Sequence, residues 1–272
     1  MNDPLFSVAG QIVLISGASR GIGRGIAEGF VQRDAQVIIT GRNAESIERT
    51  AAEISSDSKA VRPLVCDVSQ VDSIRAAVES VQQEFGKIDT LVNVAGINLR
   101  KPAIDYTEQE YDAIVDINLR GAFFMSQAVG RCMIEQGHGS QINIGSLNTQ
   151  RALTNLLPYA VAKTGMDQMS RALAVEWGPF GVRVNTLAPG FVQTDLTKKI
   201  WADETMEGWR VANTPQRRIA LPEDMVGTAV FLASPASAYL TGQVIYVDGG
   251  ATAGRMWPLG NEVAPAAKAA KT

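Results

Sequence analysis

Short apolar runs alternate along this chain with longer segments whose apolar residues recur at helical spacing. The apolar residues of the short runs do not alternate with polar ones, which is typical of strands buried on both faces. The pattern therefore predicts an α/β domain with a parallel sheet covered by helices on both faces. Predicted strands occupy residues 11–16, 36–40, 61–65, 90–93, 141–144, 183–187 and 243–247, and predicted helices occupy 22–32, 44–56, 71–85, 111–127, 159–177 and 222–233.

Composition limits the class of protein. The chain has 272 residues, 46% hydrophobic and 19% charged, which suits one large domain with a full core. A net charge of −3 gives no support for binding to nucleic acid or to a membrane surface. No apolar run is long enough for a membrane span, and residues 1–11 lack the features of a signal peptide. We expect one domain over 1–255 and a C-terminal extension over 256–272, with a mobile end and with Trp257 packed against a neighbour.

Two cysteines and one histidine restrict the chemistry further. Cys66 and Cys132 have neither metal-ligand nor CxxC spacing, so we expect buried apolar side chains in a reducing compartment, the cytoplasm. His138 is the only histidine and lies in a turn-like sequence, which argues against a histidine metal site and a Ser–His–Asp triad. No metal is expected, and Ser146 has to act without a histidine base.

A glycine-rich turn connects the first predicted strand to the first predicted helix. Its glycines are Gly17, Gly21 and Gly23. Glycines let the backbone approach a pyrophosphate closely, and the N-terminus of the following helix favours its negative charge. Strand, turn and helix in this order are the context that a dinucleotide-binding turn requires.

The end of the second predicted strand bears on the choice of cofactor. A carboxylate there would hold the ribose 2′-OH of NAD, but Thr40, Gly41 and Arg42 come first and no carboxylate appears before Glu45. Arg20, inside the glycine turn, can point to the same place. Two guanidinium groups suit a 2′-phosphate, which favours NADP over NAD; the alternative is two solvated surface arginines.

Tyr159 and Lys163 are one helical turn apart, on the same face of a predicted helix. An ammonium group close to a phenol lowers the phenol pKa by about 1–3 units, towards the range of a general acid–base. Such a pair suits protonation of a carbonyl oxygen during reduction, or removal of the proton of an alcohol during oxidation. The alternative is an ordinary exposed tyrosine and lysine.

Three further features each allow more than one interpretation. Asp67 follows the carboxyl end of a predicted strand, where it would contact an adenine or cap a turn. Asn118 lies inside a predicted helix, which indicates an exposed position, a kink or a bound functional water. The charged segment 196–213 carries two tryptophans and is typical of a mobile lid, in which the aromatic residues form the core of the lid or a subunit contact.

Jointly, these residues resemble the short-chain dehydrogenase/reductase family from residue 11 to residue 250. The glycine turn matches the cofactor turn of that family, and Pro189-Gly190 with Thr194 matches its nicotinamide-side loop. The family commonly has Asn-Asn-Ala-Gly after the fourth strand, whereas this chain has valine at the second position, Val94, and lacks the hydrogen bonds of that amide. The first asparagine and the glycine remain, so the backbone turn is expected to be the same.

The resemblance implies a single doubly wound Rossmann-type domain with an about seven-stranded parallel sheet. It also implies a homo-oligomer, a tetramer or a dimer. The implied catalytic residues are Asn118, Ser146, Tyr159 and Lys163. The implied cofactor-binding residues are Gly17, Ser19, Arg20, Gly21, Ile22, Gly23, Thr40, Arg42, Asp67, Val68, Asn93, Ala95, Gly96, Tyr159, Lys163, Pro189, Gly190, Val192 and Thr194.

The implied reaction is hydride transfer between nicotinamide C4 and the carbon of a substrate alcohol or carbonyl group. Tyr159 is then the acid in reduction and the base in oxidation, while Lys163 lowers its pKa and binds the nicotinamide ribose. Ser146 hydrogen-bonds the substrate oxygen and stabilises its developing charge. Asn118 positions a water that links Lys163 to solvent.

The substrate class follows from a narrower resemblance. Segments 93–102 and 194–233 are similar to gluconate 5-dehydrogenases and related sugar-acid or polyol reductases. Arg100, Lys101 and Arg151 would supply positive charge for a carboxylate, or they are simply solvated. A 3-oxoacyl-carrier-protein reductase shares the same catalytic residues, and its basic residues would face an acidic carrier protein. A non-catalytic NADP-binding protein is a third possibility, disfavoured because binding alone does not require Tyr159 and Lys163 together.

Overall fold

A computed structural model of the protein describes residues 3–195 and 197–255. The predicted C-terminal extension, including Trp257, lies outside these residues. The chain forms a seven-stranded sheet in the order β3-β2-β1-β4-β5-β6-β7, and every neighbouring pair is parallel. The strands are β1 Ile12–Ser16, β2 Gln36–Gly41, β3 Val61–Val65, β4 Thr90–Asn93, β5 Gly139–Ile144, β6 Val182–Pro189 and β7 Val244–Val247.

Helices connect the strands, and the order of the sheet reverses between β1 and β4. The α-helices are α1 Gly21–Val31, α2 Ala44–Ile54, α3 Val71–Phe85, α4 Glu108–Val115, α5 Gly121–Gln136, α6 Leu157–Trp177, α7 Lys198–Trp201, α8 Glu204–Asn213 and α9 Val226–Ala233. Ser16 at the end of β1 pairs with Asn93 at the end of β4. Because the chain leaves these two strands in opposite directions, a crevice opens at their carboxyl ends, where such sheets bind ligands.

Both faces of the sheet are buried, which explains why the strands lack alternation. Val13 and Ile15 of β1 pack in one core cluster with residues of α1, α2 and α9. Ile12 and Leu14, the intervening residues, pack in a second cluster with residues of α3, α5 and α6. The prediction of a doubly wound α/β domain with helices on both faces is therefore confirmed.

The predicted helix over 111–127 differs most from the structure. It is a continuous run of α4, a π-helical segment at Asp116–Arg120, and α5. The helical pattern continues past residue 127 through the buried Val129 and Met133, and α5 ends only where Gly137 adopts a φ of 74°. The predicted end was wrong because the stop signal is this left-handed glycine. In the described part of the chain, no helix is both long and apolar enough to cross a bilayer.

Candidate active site

The glycine turn sits directly against the loop that follows β4. Gly17 has a φ of +70°, and a Cβ atom on it would lie 2.5 Å from the Cα of Ala95. A Cβ on Gly23 would lie 2.5 Å from the carbonyl oxygen of Gly17. Only glycine fits at these two positions, because the first needs a left-handed backbone and both leave no room for a side chain. The turn thus brings the N-terminus of α1 to the crevice, in the arrangement that suits a pyrophosphate.

The end of β2 holds the glycine turn in place. The carbonyl oxygen of Thr40 accepts hydrogen bonds from the backbone N–H groups of Gly17 and Ala18, at 2.9 and 3.1 Å. Thr50, on α2, donates its hydroxyl to the carbonyl oxygen of Ser19 at 2.9 Å. Ile22, in the first turn of α1, is partly buried against the core. These contacts fix Ser19 and Arg20 beside the end of β2.

Arg20 and Arg42 are both exposed next to this turn. Neither guanidinium group has a hydrogen-bond or ion-pair partner among residues 3–195 and 197–255, whereas the nearby Arg24 binds Glu28 and Glu53. Glu45, the first carboxylate after β2, lies in the first turn of α2. Both guanidinium groups are therefore open to solvent beside the turn, and their contact with a ribose 2′-phosphate stays a prediction.

Asp67 caps the turn that follows β3. Its Oδ1 accepts hydrogen bonds from the backbone N–H and the hydroxyl of Ser69, at 3.0 and 2.8 Å. The adjacent Val68 is buried, and its carbonyl oxygen would lie 2.5 Å from a Cβ atom on Gly121. The turn-cap interpretation of Asp67 is thus confirmed, and an adenine contact through Oδ2 stays a prediction.

Asn93 ties strands together with its side chain. It is 2% exposed, and its Nδ2 donates to Ser126 Oγ and Asn143 Oδ1, both at 2.9 Å. Asn143 continues the chain of hydrogen bonds to Ser170 at 2.8 Å. The side chain of Asn93 is therefore engaged between β4, β5 and α5. Its Oδ1 has no hydrogen-bond partner among the described residues, and the cofactor contacts expected of Asn93, Ala95 and Gly96 stay predictions.

Asn118 is buried at the centre of the π-helical segment and orders the loop after β4. Its Nδ2 donates to the carbonyl oxygen of Ile97 at 2.8 Å, and its Oδ1 accepts from the N–H of Ile97 at 2.7 Å. The kink interpretation is confirmed, since π-segments interrupt the regular helix and often occur at functional sites. These bonds use one N–H and one lone pair of the amide, and the predicted water contact of Asn118 stays a prediction.

Ser146 lies at the end of β5 and begins a short 3₁₀ turn, Leu147–Thr149. Its side chain is buried, and its hydroxyl lowers the pKa of the Tyr159 phenol. Asn148, two residues later, contacts Ser146 Oγ with both its backbone and its side chain. The sequence pattern does not distinguish Asn148, because its contacts with Ser146 depend on the geometry of the 3₁₀ turn.

Tyr159 and Lys163 project from the first turns of α6 towards the end of β5. Lys163 is 3% exposed, its Nζ donates to the carbonyl oxygen of Ile144 at 2.6 Å, and it lies 5.8 Å from the centroid of the Tyr159 ring. Burial lowers the pKa of Lys163 to about 8, opposed by the charge of Asp167. The interpretation as an exposed surface pair is therefore excluded.

The electrostatic environment of Tyr159 differs from the expectation. Burial raises the pKa of the Tyr159 phenol, opposed by the Ser146 hydroxyl and by the positive charge of Arg100. Lys163 was expected to lower this pKa, but in the protein alone desolvation is stronger and the opposing groups are Ser146 and Arg100. A phenol in this environment keeps its proton at neutral pH, which suits an acid.

The loop after β6 passes over the glycine turn. Pro189 ends β6, and the N–H of Gly190 donates to the carbonyl oxygen of Val247 at 3.0 Å. Val192 is buried and forms a bridge with Ala220. A Cβ on Gly21 would lie 3.3 Å from the methyl carbon of Thr194, so this loop contacts the turn. A groove of about 560 Å³ runs between them.

The predicted lid consists of α7 and α8. Leu196 lies outside the described residues. Trp201 and Trp209 both pack edge-on against Phe191, with ring centroids 5.5 Å apart in each pair. Arg151 joins the lid to the last described loop, because it donates to the carbonyl oxygen of Ala251 at 2.9 Å and to Asn213 Oδ1. The aromatic residues thus form a core under the lid.

The three basic residues near the site differ in what surrounds them. Lys101 is paired with Glu110 at 2.8 Å, and Arg151 is engaged by the lid. Arg100 is exposed and has no hydrogen-bond or ion-pair partner in the chain as described, yet its charge acts on Tyr159. Only Arg100 is therefore free to bind an anionic group beside the phenol. No group of three or more potential metal ligands converges in the described residues.

Asp167 is a buried acid that is not among the predicted site residues. It lies one turn after Lys163 on α6 and is 4% exposed. Its Oδ1 has no hydrogen-bond partner among the described residues. Burial raises the pKa of Asp167, opposed by the nearby hydroxyl groups of Thr149 and Thr186 and by nearby positive charge. The spacing of four residues from Lys163 is the signal that would have found it.

Comparisons with known proteins agree with this geometry. A family model described as enoyl-(acyl carrier protein) reductase matches residues 17–252. The chain is 37% identical to gluconate 5-dehydrogenase of Gluconobacter oxydans (strain 621H) over 91% of this chain and 97% of that one. It is 39% identical to D-threitol dehydrogenase of Mycolicibacterium smegmatis, over 91% and 95%.

A solved structure, a gluconate 5-dehydrogenase from Burkholderia cenocepacia J2315 in complex with NADP and tartrate, superimposes with a TM-score of 0.89. It is 35% identical and covers 92% of this chain and 98% of its own. The crevice, the glycine turn and the Ser–Tyr–Lys cluster are thus set in a shared fold. The chain belongs to the short-chain dehydrogenase/reductase family and is a nicotinamide-dependent oxidoreductase that acts on CH–OH and C=O groups.

Proposed function

We propose that the protein is an NADP(H)-dependent dehydrogenase of a sugar acid or polyol, similar in activity to gluconate 5-dehydrogenase. The observation that carries this proposal is the unpaired guanidinium group of Arg100, whose charge reaches the hydroxyl of Tyr159. A sugar acid presents a carboxylate a few bonds from its reacting carbon. Arg100 is suited to bind that carboxylate, because guanidinium and carboxylate groups form strong charge-assisted hydrogen bonds.

The catalytic cluster performs the proton chemistry of this reaction. When bound, NADPH supplies a hydride to the carbonyl carbon, and NADP⁺ accepts one in the reverse direction. Tyr159 gives its proton to the carbonyl oxygen, and its raised pKa keeps that proton available at neutral pH. Ser146 hydrogen-bonds the same oxygen as negative charge develops there. Lys163, whose pKa is about 8, stays mostly protonated at neutral pH and stabilises the tyrosinate that forms.

The cofactor part of the proposal rests on Arg20 and Arg42. Both side chains are exposed beside the glycine turn, and the nearest carboxylate in sequence after β2 is Glu45 on α2. A 2′-phosphate between them would be held by two guanidinium groups with no competing carboxylate at the strand end. The relative from Burkholderia cenocepacia carries NADP.

The carrier-protein alternative is less well supported. An acidic carrier would need several free basic residues around the entrance, whereas Lys101 is bound to Glu110 and Arg151 to Asn213. A single free guanidinium group suits a small carboxylate better than a protein surface. Binding of cofactor without catalysis is disfavoured by Lys163, since burying an ammonium group costs free energy that mere binding does not require.

The test is NADP(H)-linked turnover with 5-ketogluconate, D-threitol, a panel of sugars and an acetoacetyl thioester. We expect turnover with the sugar acid or the polyol and little with the thioester. The matched control is Tyr159→Phe, which keeps the ring and removes the proton. Preference for the thioester would support the carrier-protein reductase, and tight NADPH binding without any turnover would support the non-catalytic alternative.

We also propose that the protein works as a homo-oligomer, a dimer or tetramer, in the cytoplasm. Support for assembly comes from large apolar side chains that are exposed to solvent in the single chain, such as Ile104 at 92% and Val175 at 78% exposure. Support for a reducing compartment comes from Cys66 and Cys132, which are free thiols. Light scattering on the purified protein tests the assembly, and a monomer at micromolar concentration would refute it.

A further inference from the structure

The hydroxyl of Ser146 is bound twice by one residue. Its Oγ accepts a hydrogen bond from the backbone N–H of Asn148 at 3.2 Å and another from Nδ2 of Asn148 at 3.2 Å. A serine hydroxyl has two lone pairs and one proton. Both lone pairs are therefore directed to Asn148, and only the proton remains for a third group.

The orientation of the Asn148 amide is set by a separate contact. Its Oδ1 accepts a hydrogen bond from the backbone N–H of Leu153 at 3.2 Å. If the amide were flipped, Nδ2 would face the N–H of Leu153, and two donors would oppose each other. Asn148 is 9% exposed, so water cannot easily replace either contact. The amide consequently presents a donor, and not an acceptor, to Ser146.

The main chain of Ser146 is held by the same turn. Its carbonyl oxygen accepts hydrogen bonds from the backbone N–H and the hydroxyl of Thr149, both at 3.1 Å. With backbone and lone pairs fixed, one hydroxyl proton remains for a group on the side of Tyr159, whose phenol pKa the Ser146 hydroxyl lowers. The oxygen of a substrate would lie between these two hydroxyl groups.

We propose that Asn148 is a positioning residue that fixes the Ser146 hydroxyl as a hydrogen-bond donor to the reacting oxygen. This inference rests on the proposed function, since it concerns the oxygen of a carbonyl that is being reduced. A donor that is oriented before the reaction needs no reorganisation when negative charge develops on that oxygen, and this is the condition for large electrostatic stabilisation. Asn148 acts only through Ser146 and touches neither hydride nor proton.

The test is the substitution Asn148→Asp, which keeps size and the acceptor for Leu153 but replaces the donor to Ser146 by an acceptor. The Ser146 proton then turns to the new carboxylate and away from the substrate. We expect kcat to fall about 100-fold, the scale of losing one such donor, with an unchanged KM for NADPH. At low pH the new carboxyl group is protonated and can donate again, so the loss relative to wild type should shrink.

The Ser146→Ala background separates this role from the effect of an added charge. In that background no hydroxyl is left to reorient, so Asn148→Asp should lower kcat by at most about 10-fold. This remaining loss would come from the Coulomb effect of the added charge. An equal loss in both backgrounds would overturn the inference. If Asn148→Asp does not fold, Asn148→Ala replaces it, with an expected loss of about 10-fold that disappears in the Ser146→Ala background.

A second readout does not depend on knowing the substrate. Ser146 lowers the pKa of Tyr159 by donating to it, so Asn148→Asp should raise that pKa by more in the Ser146 protein than in the Ser146→Ala protein. Tyrosinate absorbance, corrected with Tyr159→Phe, measures this difference. An equal shift in both proteins overturns the inference even if no substrate is found, whereas absent turnover in wild type alone counts against the proposed function.

Discussion

Arg100 and Lys101 are adjacent in sequence but differ in what surrounds them, which allows a matched pair of substitutions. Lys101 is bound to Glu110, which also caps α4 through Thr107, whereas Arg100 is free. Arg100→Gln should remove the binding of a substrate carboxylate, and Lys101→Gln should not. A hydrogen bond to a charged group contributes about 1.5–3 kcal/mol, which corresponds to a rise in KM of about 10–150-fold. We expect a rise in KM of about 10-fold, because Arg100 is exposed and water competes with the carboxylate for its guanidinium group.

The assay compares a sugar acid with a neutral polyol for wild type, Arg100→Gln and Lys101→Gln. The rise in KM should appear only for the sugar acid and only in Arg100→Gln. The pH profile gives a second signature: Arg100 opposes the raised pKa of Tyr159, so its loss should raise that pKa further. Tyr159 accepts a proton during oxidation and must be unprotonated, so the acid limb of kcat/KM for oxidation should move to higher pH. Equal effects on both substrates, or equal effects of the two substitutions, would refute the assignment.

Two other predictions concern cofactor choice and stability. Arg42→Asp should shift the ratio of kcat/KM for NADPH over NADH towards NADH by about 10-fold or more, since it removes one phosphate ligand and adds a repulsive charge; an unchanged ratio would refute the role of Arg42. Lys163→Met should make the protein more stable to urea at pH 7, because wild type buries an ammonium group there. The pKa of Lys163 falls from 10.5 to about 8 on folding, so the unfolded chain binds more protons between these values and wild-type stability rises with pH across them. The gain in stability of Lys163→Met over wild type should therefore decrease as the pH rises from 8 to above 10. A gain in stability that does not change with pH would contradict a buried ammonium group at residue 163.

Local patterns in the sequence predicted the sheet and the glycine turn, because both depend on neighbours along the chain. Buried strands are indicated by the apolar runs of β1 and β2 alone, and the tight turn is indicated by the glycines at 17, 21 and 23 alone. Tyr159 and Lys163 were identified for the same reason, since helical spacing alone puts them on one face. The end of α5 was predicted too early, because the buried Val129 and Met133 continue the helical spacing up to Gly137.

Electrostatic roles could not be read from the sequence, because they depend on burial and on distant partners. The amide of Asn118 is bound by Ile97, 21 residues away, a partner that spacing along the chain does not indicate. The raised pKa of Tyr159 reflects desolvation, which no spacing rule reports. Lys101 and Arg100 look equivalent in sequence, and only the position of Glu110 distinguishes them.

We expect the phenol of Tyr159 to transfer the proton in this nicotinamide-dependent reaction. Tyr159→Phe is the direct test, with NADPH binding and turnover measured on the same preparation. NADPH affinity should stay within about twofold of wild type, and kcat should fall at least about 100-fold, the lower end of the contribution of general acid–base catalysis. Substantial turnover by Tyr159→Phe, with the substrate that wild type reduces, would contradict this role of the phenol.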